Sequence, residues 1–551
     1  MDAKLNPLVQ RELSRADPTV PFRAFTSRTH HTWAKTFHCR PELYICPEST
    51  EEIEKVVTLA RRCRRRLVTV GCGHSPSDLT CTSSWIVNLE RYNKILSVDK
   101  DSRTVVMQSG IYLHEFNLKL KEYGLTMPNL GSIDHQSIAG AIGTGTHGSS
   151  TRHGTLSQSV LGLKIMLANG RTISCSKDQN KDLFRAALLS LGALGIIVEV
   201  TFRAVPFFNI EWHQSLHPLE EILHDFEKYL WTQNEFTRVW WMPYQRRVIK
   251  WVANKTDRPQ QPQVKSWLGG VLGFHTYHTL LYIAQWIPSL CPWLERFVIN
   301  VQYGFSEDGN GGTAVEEGRT GLLMNCLYSQ FVNEWAIPIS KGPEAIRRLS
   351  TWLNWDQEAS GIPFDPKGLY VHAPIEVRVS DTTSTIPRPF LDNTMADSTT
   401  LYLNATLYRP YNQDPPCRKR YYEAFEWLMK EMGGRPHWAK NFDTVTRDEF
   451  HNMYPEMGDW LRMRNEVDPE GMFVGDWHRR YLLLEDGDNS VLPLEEREVR
   501  REKALGGGQN WTGEILGRTL SPQSSEESFD LMHGAEAEKS VLFPPSEHGS
   551  V

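Results

Sequence analysis

Val70-Gly71-Cys72-Gly73-His74-Ser75-Pro76-Ser77-Asp78 is the stretch on which the reading of this chain turns. The run before it, Leu67-Val68-Thr69-Val70, is apolar and β-branched and predicts a buried strand. Gly71 and Gly73 then let the backbone turn tightly, so that successive N–H groups converge on an anion such as a pyrophosphate. His74 stands at the tip of that turn, where packing requires no histidine. One Gly-x-Gly pair is a weak signal, because ordinary strand-to-loop turns use it too. A second segment strengthens it: Gly131, Ser132, Ser137, Gly140, Gly143, Thr144, Thr146, His147 and Gly148 all fall between positions 131 and 148. Two phosphate-cradling loops in one domain imply a ligand longer than a mononucleotide.

Working outward, 551 residues suggest two or three domains with ample core. Hydrophobic residues at 40% and charged residues at 23% place the chain among globular proteins. A net charge of -6 gives no support to a nucleic-acid partner. The one dense basic run, Arg61 to Arg66, has a bland reading. Ser49-Thr50-Glu51-Glu52 predicts a helix start with a capping box, and the arginines fall in that helix's last turns, where the dipole favours them. The nine cysteines stand singly without C-x-x-C spacing, so neither a zinc site nor a disulfide framework is indicated, and a reducing compartment is expected. The first twenty residues lack the apolar core of a secretory signal, which makes the sequons at Asn254, Asn404 and Asn510 chance matches.

Four regions follow from the pattern. Residues 1–36 read as a polar lead-in, 37–207 alternate short β-rich runs with helices, 208–482 are rich in Trp and Tyr, and 483–551 have the Gly, Ser, Glu and Pro content of a disordered tail. Thr104 to Gln108 and Leu163 to Leu167 predict strands. Leu183 to Ser190 predicts a helix that stops near Gly192, before a strand containing Ile197 and Val198. Ser266 to Leu294 contains no Asp, Glu, Lys or Arg and is long enough to cross a bilayer. His275, His278, Gln285 and Pro288 stand against a span, and the Trp and Tyr content suits an interface. Contact with a membrane surface, a buried helix pair and a true span are the three readings of that segment.

Two further motifs carry chemistry. In His372 to Ser380, apolar and polar residues alternate as in a strand, and a spacing of two puts Glu376 and Arg378 on one face. A surface salt pair is the bland reading. Arg, however, is always protonated and holds its donors in a fixed fork, suited to anchoring an oxyanion, and the carboxylate accepts bonds from hydroxyls. The second motif is Gly434-Arg435-Pro436-His437-Trp438-Ala439-Lys440.

Together these motifs closely resemble the vanillyl-alcohol-oxidase-type flavoproteins, and within them the sugar-lactone oxidase branch that includes the fungal D-arabinono-1,4-lactone oxidases and animal L-gulonolactone oxidase. The resemblance runs from about Thr36 to Leu484. It implies an α+β protein: an FAD-binding domain of the PCMH/vanillyl-alcohol-oxidase type over 37–207, and a mixed α/β cap over 208–482. It implies FAD bonded covalently through His74. The two glycine loops are then the cradle, with Gly71, Cys72, Gly73, Ser75 and Pro76 on the first and the nine residues named above on the second, and Ile197 and Val198 lie beside the ring. Glu376 and Arg378 would line the substrate pocket. Lys440 would place positive charge by the reduced ring, and His437 would serve as an acid/base partner; Ala439 departs from the glycine common there. Asp468 to Phe473 resembles a C-terminal signature that folds back on the flavin domain. The implied reaction is hydride transfer from C2 of D-arabinono-1,4-lactone to flavin N5, with dioxygen as acceptor and hydrogen peroxide released. The implied location is a mitochondrial membrane, reached from one surface. A dehydrogenase passing electrons to a quinone or cytochrome, and an inactive flavin-binding membrane scaffold, are the alternatives; His74 favours the oxidase.

Overall fold

The computed structural model describes residues 5–261, 270–303, 310–324, 328–383 and 387–483. The expected tail from 484 onward, and the first residues of the apolar segment, 266–269, lie outside the described residues. Architecture is α+β, with three principal sheets.

The smallest of these is mixed, in the order Ala24–Phe25, Leu43–Ile45, Trp85–Asn88, Leu67–Val70, its last two pairings parallel. The helix Thr50–Cys63 lays Ile53, Val56, Val57 and Ala60 against it, the stripe that its sequence spacing predicts. Ser49 caps it by accepting the Glu52 N–H at 3.2 Å, but the Glu52 carboxylate reaches the Glu48 N–H at 3.1 Å rather than closing a box on Ser49. Arg61 and Arg62 occupy the last turn as expected. The rest of the run does not belong to the helix. Arg64 takes a left-handed turn (φ 55°) that ends it, and Arg65 and Arg66 return inward, Arg65 pairing with Glu42 at 2.5 Å.

A second, antiparallel sheet runs Thr172–Ser176, Val160–Met166, Ile196–Arg203, Thr104–Gln108, Ile95–Asp99. The lead-in is not a separate arm. Leu8 and Val9 pack into the same core as the first sheet, and Ala24 and Phe25 pair with Ile45 and Tyr44.

The third sheet is antiparallel and eight-stranded: Asn310–Glu317, Asn209–Pro218, Arg247–Thr256, Phe236–Met242, Ile375–Ser380, Thr400–Tyr408, Gln330–Pro338, Arg435–Pro436. Period two divides its faces. Leu401, Leu403, Ala405 and Leu407 are buried in the core shared with the helices Gly342–Leu353 and Arg418–Glu431, while Asn404, Thr406 and Tyr408 line a cavity.

The charge-free segment forms two helices, Val271–Trp286 and Cys291–Tyr303, broken at Ile287 and Pro288. Tyr277, Leu281, Leu294 and Val298 are buried in the cap core, while Val271, Leu272, Trp286, Ile287 and Trp293 face out, Trp286 at 71% exposure. Among the described residues no helix is long and apolar enough to cross a membrane.

Candidate active site

Two cavities meet at His74. The first, about 980 Å³, is walled mainly by backbone and small residues: Gly71, Cys72, Gly73, Ser137, Gly140, Gly143 and Thr144 from the two glycine loops, with Ile197 from the second sheet. The loops touch so closely that a Cβ on Gly71 would lie 2.1 Å from Ser137 Oγ. Gly73 holds φ +69°, which a side chain rarely tolerates. Asp468 accepts the N–H groups of Met472 and Phe473 at 2.9 Å each, and Met472 accepts the Leu67 N–H at 2.8 Å, so the C-terminal signature folds back and places Phe473 in this wall.

His74, Ser75 and Gln136 line both cavities. The His74 ring stacks on Trp33, centroids 4.9 Å apart and planes at 22°. Its buried Nδ1 has no hydrogen-bond partner among the described residues. Burial, with His135 and Lys440 nearby, pulls its pKa down to about 3, which keeps the ring neutral. A long backbone-lined cradle ending at an unpartnered imidazole nitrogen fits a flavin dinucleotide.

The second cavity, about 1230 Å³ and open to solvent, is built on the third sheet. Strand register aligns Trp240, Glu376, Asn404 and Glu334 in one cross-strand row, and residues directly opposite share a face. Arg378, two residues on from Glu376, donates from Nη2 to Glu334 at 2.5 Å, with its Nε 3.4 Å from Glu376. Ser132 and Asn404 each donate to Glu376 at 3.4 Å. Lys440 Nζ lies 3.8 Å from the other Glu334 oxygen. His147 stacks on Tyr402 at 3.5 Å and brings Nε2 to 3.2 Å from Glu334.

Glu334 is thus the hub of the wall. Its full burial would raise the carboxyl pKa, but Arg378 and the His147 contact overcome that and hold it well below the usual range. Arg378 is buried too, and the two carboxylates outweigh its desolvation and push its pKa up. His437 is held well below its ordinary value, mainly by burial. Its Nδ1 accepts the Ala439 N–H at 3.2 Å, so the neutral ring carries its proton on Nε2. In that state the ring presents a hydrogen-bond donor at Nε2. His147, Glu334 and His437 offer ligand atoms within 4.8 Å of one another, but Arg378 on Glu334 opposes a metal ion there.

The structure brings Glu376, Arg378, His437 and Lys440 to the second cavity. It splits the expected cradle: Pro76, Gly131, Ser132, Thr146 and His147 line this cavity, not the first. Val198 faces the core of the first sheet, because alternation sends only Ile197 inward. Gly148 lines neither cavity; it makes room for Asn129, whose Oδ1 a Cβ there would meet at 2.2 Å. Sequence reasoning missed Glu334, Asn404, Gln136 and Trp33. The polar Asn333-Glu334 inside an otherwise apolar strand run, Phe331 to Ile337, was the one usable signal.

The molecule's relationships agree with this geometry. A family model described as D-arabinono-1,4-lactone oxidase matches residues 200–481, and one described as FAD binding domain matches 41–176. A Neurospora crassa relative is 51% identical over 528 residues, covering 90% of this chain and 94% of its own. D-arabinono-1,4-lactone oxidase of Yarrowia lipolytica is 40% identical, covering 83% of this chain and 98% of its own. The chain belongs to the D-arabinono-1,4-lactone oxidase family. Family membership makes it an enzyme, an FAD-linked oxidoreductase. L-gulonolactone oxidase of Scyliorhinus torazame, 34% identical over 81% of this chain and 96% of its own, is a more distant relative. Among solved structures, cholesterol oxidase from Brevibacterium sterolicum superposes with TM-score 0.68 at 15% identity, over 85% of this chain and 99% of its own. Chitooligosaccharide oxidase gives 0.62 at 14%, over 88% and 99%. These likenesses show the fold, an FAD-binding domain joined to an α+β cap.

Proposed function

We propose that this enzyme oxidises D-arabinono-1,4-lactone with dioxygen to dehydro-D-arabinono-1,4-lactone (D-erythroascorbate) and hydrogen peroxide, using FAD bonded to His74. The observation that carries the reading is the junction: a glycine-built cradle ends at His74, where a cavity of charged side chains begins. Bound FAD supplies the two-electron acceptor for a hydride leaving C2 of the lactone. Arg378, its guanidinium fixed by Glu334, lines the cavity, and its remaining donors would anchor lactone oxygens. Lys440 adds a second positive charge on the same wall, and His437 contributes a neutral donor. Glu376, on the cavity wall, orients the sugar hydroxyls and accepts the proton leaving the C2 hydroxyl. Preorganised groups of this kind stabilise developing charge without reorganising as the reaction proceeds.

We also propose that the outward side of the helix pair 271–303 rests on a membrane surface, the mitochondrial membrane that the family resemblance implies. Exposed Val271, Leu272, Trp286, Ile287 and Trp293 give it the aromatic and aliphatic character that suits an interfacial anchor. Vesicle flotation of the purified protein tests this directly, and recovery in the lipid-free fraction overturns it.

For the reaction, the test is steady-state oxygen uptake and peroxide release with arabinono-, galactono- and gulono-lactones. Peroxide formed one-for-one with lactone consumed supports the oxidase. Turnover only with a quinone or cytochrome c, without peroxide, establishes the dehydrogenase instead, and no flavin reduction by any lactone overturns both.

A further inference from the structure

We propose that Trp33 is the positioning residue for flavin attachment at His74. The inference rests on the covalent linkage proposed above and assigns the residue that aims the imidazole.

Thr32, Ala34 and Thr36 are buried, while Trp33 between them is 37% exposed. An indole left partly in water at the mouth of a cavity is not there to fill a core. It lies over His74 in a stacked pair at 4.9 Å, covering one face of the ring. The backbone beneath the indole is fixed from both sides. Trp33 donates its N–H to Gly73 O at 2.8 Å, and Thr36 Oγ1 donates to Pro76 O at 2.5 Å, tying the segment to the histidine loop. From the cap, Arg409 Nη1 donates to Ala34 O at 3.1 Å and to Lys35 O at 3.0 Å, and Ser329 Oγ donates to Ala34 O. Arg409 is itself fully buried and paired with Asp414 at 2.7 Å. The backbone that carries the indole is therefore tied down from both sides, and the indole stacked on His74 restricts rotation of the histidine ring about its own χ2.

That restriction bears on a reaction with strict directional demands. Attachment joins a ring nitrogen of His74 to the flavin's 8α carbon. One C8α–H bond and one imidazole N–H bond break, and both hydrogens leave as protons. The two electrons left on the flavin are removed by dioxygen, which takes up two protons to become hydrogen peroxide. The nitrogen must present its lone pair along the approach to that carbon, and among the described residues no hydrogen bond holds Nδ1. In its absence the stacked indole is the contact that sets the ring plane. A misplacement of about 1 Å costs on the order of a hundredfold in such a step.

The test uses full-length protein made under riboflavin depletion and then mixed with FAD. Two quantities are followed: total bound flavin after desalting, and acid-precipitable flavin fluorescing on a denaturing gel. Trp33→Ala should bind FAD to the parent level but attach it on the order of ten- to a hundredfold more slowly. Trp33→Phe, which keeps a flat ring over His74, should attach at close to the parent rate. Attachment by Trp33→Ala at the parent rate overturns the inference. So does loss of total flavin binding in Trp33→Ala, which would make the indole part of the cradle. A parent protein with no acid-stable flavin overturns the covalent linkage itself, and the inference with it; that outcome is told apart by the parent lane alone.

Discussion

On one side of His74 the wall is backbone: Gly71, Gly73, Gly140 and Gly143, contributed by two short loops each continuous in sequence. On the other side it is side chains, Trp240, Glu376, Asn404 and Arg378, brought together from three strands of an eight-stranded sheet. The first binds by shape and by N–H groups that any sequence can supply once its glycines permit the approach. The second works by charge, two cations against two carboxylates in a partly dry wall, and depends on which residues the register sets opposite one another. Damage to the first should empty the enzyme, whereas damage to the second should leave it loaded and slow.

The sharpest test of that contrast is Arg378→Lys. It keeps the charge and loses the fork, so FAD content should be unchanged. Lactone-driven flavin reduction should fall by roughly a hundred- to a thousandfold, equivalent to about 2.7–4 kcal/mol. Anaerobic stopped-flow reads this step apart from reoxidation, and a parent-like rate would return the Glu376–Arg378 pair to a structural salt bridge.

Gly71→Ala attacks the other side. Its Cβ would fall 2.1 Å from Ser137 Oγ, and overpacking of this kind costs about 1–3 kcal/mol. The flavin-to-protein absorbance ratio should drop, while protein that retains flavin should be reduced at the parent rate. Adding Ser137→Gly removes the opposing atoms and should restore much of the occupancy. Full occupancy in the single variant would show that the two loops part easily.

Glu334→Gln leaves turnover aside and gives the clearest pH signature. Because the folded protein holds this carboxyl well below its ordinary 4.5, its stabilising contribution is complete above about pH 4.5. That contribution is lost as pH falls through that value toward the folded pKa. The variant should melt lower than the parent at neutral pH, by the equivalent of about 1.5–3 kcal/mol. The gap should narrow steadily below pH 4.5. A gap independent of pH would mean that the hub carries no ionised group.

The same contrast explains what could be read before folding. Local features were legible: the glycine loops, the helix Thr50–Cys63, and the two-residue spacing that puts Glu376 and Arg378 on one face. The phase of a buried strand was not. Nothing in Ile196 to Val200 says which of Ile197 and Val198 points at the cavity, because both neighbouring environments are apolar. Glu334 sits in a strand buried over nearly its whole length, and only pairing with Asn404 across the sheet sets it behind Arg378. Trp33 lay hidden in a segment that reads as a polar lead-in, since Gly73, which takes its N–H, and Arg409, which holds the next two carbonyls, are distant in sequence. Arg65 was misplaced for a related reason: its ion pair with Glu42 is a tertiary contact, and helical spacing is blind to it.

The bond from Asn441 Nδ2 to Pro76 O, 3.1 Å long, spans 365 positions of the chain. Arg409 and Ala34 are 375 apart. At a translation rate of about 5–20 residues per second, the loop carrying His74 would wait roughly 20–70 seconds on the ribosome for its last supports. During that interval the glycine cradle exists without the strands that close it, and a fragment ending near 207 should hold flavin loosely or not at all. Cofactor capture in this enzyme should accordingly come late in biosynthesis, once the C-terminal third has emerged.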